Sequence, residues 1–454
     1  MMYDPGFRPV YRGWEAFLAR TRGSGEIPVR IAIERTNGLV STFSTVAPAK
    51  DEDPEGTYRM IERAVKFLLW SRGGWRIHFL GPAATGRRLK ADYSESGARA
   101  FDVRTMGRIY ERPFEVALHS PATFPEPREA AHFAGGHLDG CRIGFDLGAS
   151  DYKVTAVIDG RPVWSEEIPW APGDQPDPEY HFEHIQAGLK KAAAHLPRVD
   201  AIGGSSAGAI IHRQIRIASL FRSVPPAEFE AKVKGLFDRL AAAWGVPFEV
   251  LNDGEVTALA GRLSLDDTGV LGVAMGSSEA AGFLDDEGHI PGWLDELAFT
   301  PVDLNPEAVT DEWSRDRGVG ANYFSQQAVG RLAQAAGLSF PEGLKLPERL
   351  EQVQALVARG NIPAARIFEQ IGEYLGYTIP WYEVFYRFRN LLILGRVMSG
   401  PGGKLIIDKA KEILAAEFPP TAARVRLHLL DEKSRRVGQA VAAASLPEIQ
   451  GVRP

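Results

Sequence analysis

The sequence predicts an α/β protein of two lobes that carries an additional N-terminal α+β module. Three observations predict it. From Arg142 onward, strands and helices alternate, which requires helices over both faces of a sheet. That stretch opens with a three-strand meander, Arg142–Leu147, Tyr152–Ile158 and Arg161–Ile168, with Asp159-Gly160 as a hairpin turn. Before it the rhythm differs, and His119–Arg128, with three prolines, reads as an extended linker.

In the N-terminal module, Val29–Glu34 alternates like a strand, Asn37-Gly38 is a hairpin signal, and Leu39–Val46 is the return strand. A helix over Glu55–Trp70, apolar on one face, and a strand over Trp75–Leu80 follow. After the meander come a helix (Pro178–His195), a strand (Val199–Gly203) and a helix (Ala227–Trp244). Next are a short strand (Phe248–Leu251) ending in Asn252-Asp253 and a helix (Gly254–Leu263). Strands Val270–Met275 and Ala280–Leu284 frame Gly276-Ser277-Ser278. Ser325–Tyr377 is mostly helical, and the strand Asn390–Leu394 leads into a glycine-rich turn, Ser399–Gly403, and a helix. A strand (Val425–Leu430) and an Ala-rich helix (Gly438–Ser445) close the chain. The expected partition is 1–136 for the module, 137–253 for the first lobe with 436–454 packing back on it, and 254–435 for the second. A hairpin, polar loop, helix and strand occur at Val29–Leu80 and again at Arg142–Gly203. Duplication and chance recurrence both account for that.

With 454 residues, 44% hydrophobic and 24% charged, the chain has material for a large core. The net charge is -6 and no basic run occurs, so neither nucleic acid nor a membrane surface is an expected partner. Cys141 is the only cysteine, which excludes an intramolecular disulfide and a thiolate-rich zinc site. No apolar run reaches membrane-spanning length, and Met1–Arg12 has no signal-peptide character. A cytoplasmic location is the default expectation.

Five segments have residues suited to chemistry. Asp146-Leu147-Gly148-Ala149-Ser150-Asp151-Tyr152-Lys153 puts an acid and small residues between two strands. Exposed N–H groups in such a turn suit phosphate oxygens, and the Asp146 carboxylate suits Mg²⁺ directly or through its water shell. The same residues also make an ordinary β-turn. Ile202-Gly203-Gly204-Ser205-Ser206-Ala207-Gly208 either lets a ligand approach the backbone or ends a strand with unusual torsions. In Asn252-Asp253-Gly254, Asp253 suits a general base and Asn252 an orienting group, and either residue equally suits a helix cap. Gly276-Ser277-Ser278 is a second candidate phosphate turn. Gly395 and Ser399–Gly403 form a loop that suits the border of an adenine pocket.

Taken in order, these segments resemble the ROK family of sugar kinases and the wider actin/hexokinase/Hsp70-like ATPases. GFDLGASDYKVTAVIDG resembles the family's D-x-G-G-T-K phosphate motif, and VLNDGEVTALAG resembles its E-N-D-A-N-A-A-A-L-G-E segment. DELAFTPV is similar to G-E-I-G-H-T-P-V, LLILGRVMSGPGGKLIIDKAKEIL to the adenosine segment, and RRVGQAVAAASL to the closing helix. The resemblance spans Arg142–Leu446 and implies a two-lobed actin/hexokinase-like (ribonuclease H-like) fold closing over a nucleotide. It implies ATP and Mg²⁺ as cofactors and phosphoryl transfer to a sugar or polyol hydroxyl. Asp253 is then the catalytic base, and Asn252, Glu296, Ser206 and Gly208 bind substrate. Asp146 (also on Mg²⁺), Gly148, Ala149, Ser150, Lys153, Gly276, Ser277, Ser278, Gly395 and Gly402 bind nucleotide. A homodimer stays open.

The sequence departs from the family at three places. Phe299 stands where the family has His, which implies an altered sugar contact. Trp313–Phe324 lacks the family's C-x-C-G-x-x-G-C cluster, so structural zinc is not expected. Glu279 follows the second phosphate turn, where a carboxylate would repel a triphosphate unless it points away or meets a metal. A degenerate sugar- or nucleotide-binding sensor is therefore the alternative to a kinase. Nothing in the N-terminal module matches a helix-turn-helix.

Overall fold

The computed structural model describes residues 3–133, 135–149, 151–429 and 432–449. The chain divides into two compact units. The larger comprises Met1–Ala131, Val273–Ala280 and Pro291–Leu429, and the smaller comprises His132–Gly272, Ala281–Ile290 and Leu430–Pro454.

The smaller unit is built on a five-stranded sheet. Its order is Phe248–Asn252, Ala201–Ser206, Cys141–Leu147, Asp151–Ile158, Arg161–Pro169. The last three form the expected antiparallel meander, while Cys141–Leu147, Ala201–Ser206 and Phe248–Asn252 run parallel. Parallel strands need helices on the faces. Pro178–Ala193 and Leu236–Trp244 supply Ile185, Leu189, Leu236, Phe237 and Leu240 to a core with Ile143, Phe145 and Ile202. The helix expected over Ala227–Trp244 is broken. Phe229–Val233 is a π-turn and the α-helix resumes at Leu236. The Lys234 carbonyl is taken by the Ile215 N–H at 3.0 Å, which pulls it out of the helix ladder.

The helix Glu432–Ala444 approaches the same sheet closely. A Cβ on Gly144 would lie 1.8 Å from the Ala440 carbonyl oxygen, and one on Gly203 would lie 1.7 Å from that of Ala443. These two glycines therefore serve helix packing. At Gly203, for which the sequence left ligand approach and unusual torsions both open, it is the helix that approaches the backbone. Val256, Leu259 and Ala260 of the helix Asp253–Leu265 join Ala442, Ala443 and Leu446 in a second core. For this reason Asp253–Leu265 belongs to the smaller unit, whereas the expected boundary at 253/254 placed it at the start of the other lobe.

In the larger unit, the helix α1 (Val10–Ser24) precedes a sheet of order β2 (Val40–Pro48), β1 (Glu26–Glu34), β3 (Arg76–Leu80), β4 (Glu115–Leu118). The helix α2 (Pro54–Arg72) connects β2 to β3. Here β3 runs antiparallel to β1, whereas Ala201–Ser206 runs parallel to Cys141–Leu147. The recurring sequence pattern is thus local, with different strand directions in its two copies. A second four-stranded sheet, not confined to this unit, orders Glu279–Leu284, Val270–Met275, Asn390–Leu394 and Arg426–Leu429.

The first 131 residues form one compact unit with 291–429, in contrast to the separate module expected over 1–136. The reason is an aromatic core. Trp14 of α1 packs on Trp381 with centroids 5.5 Å apart, and Phe67 of α2 stacks on Phe385 at 4.2 Å. The expected linker His119–Arg128 is also held down. Arg128 and Val40 exchange backbone hydrogen bonds of 2.7 and 2.9 Å, and Phe124 is buried against Ala32 and Val40. Among the described residues, no helix is long and apolar enough to cross a membrane.

Candidate active site

The carboxyl ends of three parallel strands bring the main candidates of the smaller unit together. Such ends are where open α/β sheets bind ligands. Asp146 is in register with Ser205, and Ser205 with Leu251, so Asn252-Asp253 lies just beyond the same row. Asp146 is 8% exposed, and its Oδ1 accepts from the Ser205 hydroxyl at 2.8 Å. Lys153 Nζ stands 3.8 Å from Asp146 Oδ2 and 3.8 Å from Asp151 Oδ1. Burial raises the Asp146 carboxyl, and Lys153 and Ser205 oppose that rise.

Asn252 is the N-cap of Asp253–Leu265. Its side-chain oxygen accepts from the Gly254 N–H at 2.7 Å and its amide donates to the Gly208 carbonyl at 2.8 Å. Glu255 reaches back to the Asn252 N–H at 3.2 Å and completes a capping box. Of the two residues that suited a cap, Asn252 takes the role and leaves Asp253 in the first turn. Asp253 keeps part of its surface accessible, with Oδ1 accepting from Gly254 N–H at 3.0 Å. Burial, and then the charge of Asp146, raise its pKa to about 6. A carboxyl so placed is ionised at neutral pH and basic enough to take a proton from a hydroxyl as that hydroxyl reacts.

The other residues of this unit have defined roles. Gly148 N–H closes the turn onto the Asp151 carbonyl at 3.0 Å, and the Gly148 carbonyl accepts from Trp170 at 2.8 Å. Ala149 is exposed beside it, and Ser150 lies outside the described residues. Ser206 is buried, so its hydroxyl is poorly placed for a substrate. Gly208, at φ +108, leaves room for Ala218, which a Cβ would meet at 2.4 Å. Ser205 was not singled out as a ligand of Asp146. The alternation of Asp146 and Ser205 on neighbouring strands is the signal for it, once the strand register is known.

Magnesium bound through nucleotide phosphates needs only one or two protein carboxylates. Asp146 fits that need as a single carboxylate at the end of its strand, bonded to Ser205 and beside Lys153. Among the described residues, no group of three or more His, Cys, Asp or Glu is placed to hold a metal.

In the larger unit, the Gly276 N–H bonds the Ser278 carbonyl at 2.9 Å, closing the turn around Ser277. The Gly276 carbonyl accepts from Gln326 N–H at 2.9 Å, at the start of the helix Gln326–Ala335. Glu279 points away from solvent and is 2% exposed. Tyr382 donates to its Oε1 at 3.0 Å. Burial raises its pKa to about 8, with Tyr382 opposing and Glu296 adding to the rise, so it is largely neutral at pH 7. The repulsion expected from this residue is thereby removed. Gly395, at φ +100, lets its strand end against Met275, whose carbonyl oxygen a Cβ would meet at 2.4 Å. Gly402 faces the Phe368 ring, which a Cβ would meet at 2.6 Å. Both glycines are needed for packing. Glu296 is partly exposed, and its N–H bonds the Trp70 carbonyl at 3.0 Å. Phe299 packs on Trp70 at 4.3 Å and Phe101 at 5.5 Å.

Solved structures share this fold. A ROK-family transcriptional regulator, a homologue of the E. coli MLC protein, matches with a TM-score of 0.54 at 18% identity over 68% of this chain and 79% of that one. A ROK-family glucokinase from Streptomyces griseus, in complex with glucose and AMPPNP, matches at 0.53 with 18% identity over 68% and 99%. A ROK hexokinase from Thermus thermophilus matches at 0.50 with 18% identity over 67% and 97%. The chain therefore has the two-lobed actin/hexokinase-like α/β fold of the ROK proteins. No protein-family model matches the sequence, and no curated protein matches it.

Proposed function

We propose that the protein is a divergent ROK-type kinase that transfers a phosphoryl group from ATP to a hydroxyl of a sugar or sugar-like molecule. The observation that carries this reading is the Asp253 carboxyl, raised to about 6 beside Asp146 at the ends of three parallel strands. Asn252, fixed by Gly254 and Gly208, holds the start of the helix so that Asp253 has one position. Asp253 accepts the hydroxyl proton as the oxygen attacks phosphorus. Lys153 and the turn at Gly148 face the phosphates, and Glu296 binds the acceptor. Mg²⁺, when bound, neutralises charge on the phosphates. The fold likeness to an AMPPNP-bound glucokinase supports ATP as donor. A cytoplasmic location accords with both substrates.

Phe299 favours a second reading. It stands where the family has His and is enclosed by Trp70 and Phe101. The fold likeness to a ROK transcriptional regulator adds to it. In that reading the protein binds a sugar or nucleotide and regulates without turnover. A panel of hexoses, amino sugars and polyols, screened with Mg·ATP for ADP release, separates the two. Acceptor-dependent ADP release supports the kinase, and sugar binding without release supports the regulator.

A further inference from the structure

The segment carrying Glu296 hangs from the C-terminal turn of α2. A helix ends with carbonyls that lack intrahelical partners. In α2 three of these, on Trp70, Ser71 and Arg72, accept from the N–H groups of Glu296 at 3.0 Å, Asp295 at 2.9 Å and Leu294 at 3.3 Å. Gly73 makes the approach possible. It has φ +69, and a Cβ there would lie 2.8 Å from Leu294 Cβ and 2.0 Å from the Tyr110 hydroxyl. Tyr386 donates to Asp295 Oδ1 at 2.7 Å on the other side.

Side chains of α2 repeat the attachment. The Trp70 ring lies on Phe299 at 4.3 Å, and its Nε1 donates to Asp102 Oδ1 at 2.6 Å. Asp102 in turn receives Lys66 Nζ at 3.1 Å, and Lys66 Nζ is 2.9 Å from Asp316 Oδ2. Arg63 and Arg99 reach the same Asp316 oxygen at 3.1 and 2.8 Å. Burial would raise the Asp316 carboxyl, yet Arg63 and Lys66 hold it well below the usual carboxylate range. A buried ion cluster with its partners in place fixes geometry, and removing one member strands the others. Thus 294–299 and Asp316 are both referenced to α2, which precedes the span Arg142–Leu446 that resembles the family.

We propose that Trp70 is a positioning residue for Glu296: it sets where that carboxylate meets the acceptor hydroxyls. The proposal rests on the reading that Glu296 binds the acceptor. Phe299, in place of a polar residue, is then the surface on which Trp70 acts.

The test uses the full chain, with D-glucose, D-mannose, N-acetyl-D-glucosamine and myo-inositol as probes in calorimetry, and with Mg·ATP in parallel. Glu296→Gln should weaken the best-bound probe about tenfold or more, the size of one hydrogen bond to a charged group. Trp70→Ala should weaken it similarly, leave Mg·ATP affinity within about twofold, and add nothing in the Glu296→Gln background. Trp70→Phe, which keeps the ring on Phe299, should restore most of the affinity. If Trp70→Ala does not fold, Phe299→Leu takes its place with the same expected pattern. Equal losses of probe and Mg·ATP affinity, or additive losses in the double variant, overturn the proposal by showing a merely structural role. If Glu296→Gln weakens the probe and neither Trp70→Ala nor Phe299→Leu does, the proposal fails alone. If Glu296→Gln changes nothing, or no probe binds, the reading of Glu296 fails and takes the proposal with it.

Discussion

Asp146 and Asp253 sit two strands apart at the same edge of one sheet, linked through the Ser205 row, and the charge of Asp146 adds to burial in raising the Asp253 carboxyl to about 6. The two acids thereby divide the work proposed for the site. Asp146, more enclosed and bonded to Ser205, suits the cation. Asp253, at the first turn of its helix with part of its surface open, suits the proton.

The division predicts unequal effects at Asp146. Asp146→Ala should weaken Mg·ATP by roughly tenfold or more, the scale of one lost charge interaction, and metal-free ATP much less. Calorimetry with and without Mg²⁺ reads both. Equal losses would leave Asp146 as a turn residue.

A second prediction concerns the first 131 residues. A chain starting at Ala130 lacks Trp14 and Phe67, which pack on Trp381 and Phe385. Loss of a buried aromatic side chain costs about 3–5 kcal/mol, against a total stability of about 5–15. The truncated chain should aggregate or remain unfolded by circular dichroism. A soluble, cooperatively melting product would contradict the shared core.

Glu279 gives a pH dependence with a definite sign. Its ordinary value is 4.5, and burial raises it to about 8 in the folded chain. The folded state therefore holds the proton more tightly than the unfolded one. This contribution to stability is full below about 4.5 and is lost as pH rises through about 8. Glu279→Gln cannot ionise, so its melting temperature should gain on the wild type between pH 5 and pH 8. A constant difference across that range would show that Glu279 is ionised when folded.

Structural metal is a fourth point. Cys141 is buried, and the segment without the family's cysteines instead sends Asp316 to Arg63, Lys66 and Arg99. Dialysis against EDTA should leave the melting temperature unchanged, because removing a structural zinc would unfold what it holds. A lower melting temperature together with released zinc would contradict this.

The order of elements in the smaller unit was readable because strand ends there carry Asp, Ser, Asn and Gly, which the alternating pattern sets off. The role of Asn252 was readable only as one of two, since either neighbouring acid or amide can cap a helix. Which residue takes the cap depends on the Gly208 carbonyl, 44 residues away. α1 gave no start signal: Pro9 offers no side-chain cap, and the first turn has no acid. The packing role of Gly144 and Gly203 was not readable, because the helix that needs them lies more than 200 residues later. The neutrality of Glu279 depends likewise on burial that its neighbours in sequence do not show, and the hydroxyl that bonds it, on Tyr382, is 103 residues away.

The central claim is that Asp253 removes a proton. In Asp253→Asn the amide still accepts from the Gly254 N–H, and Asn252 still caps the helix, so architecture is preserved. With the acceptor that releases ADP in the wild type, kcat should fall by roughly 10²- to 10⁴-fold, while acceptor and Mg·ATP affinities stay nearly intact. The wild-type kcat/KM should also rise with pH through about 6, as the carboxyl ionises. Steady-state kinetics and a melting curve on one preparation suffice. An Asp253→Asn protein that turns over like the wild type, with at most about 1 kcal/mol lost from stability, would make Asp253 a helix-end residue and contradict the account.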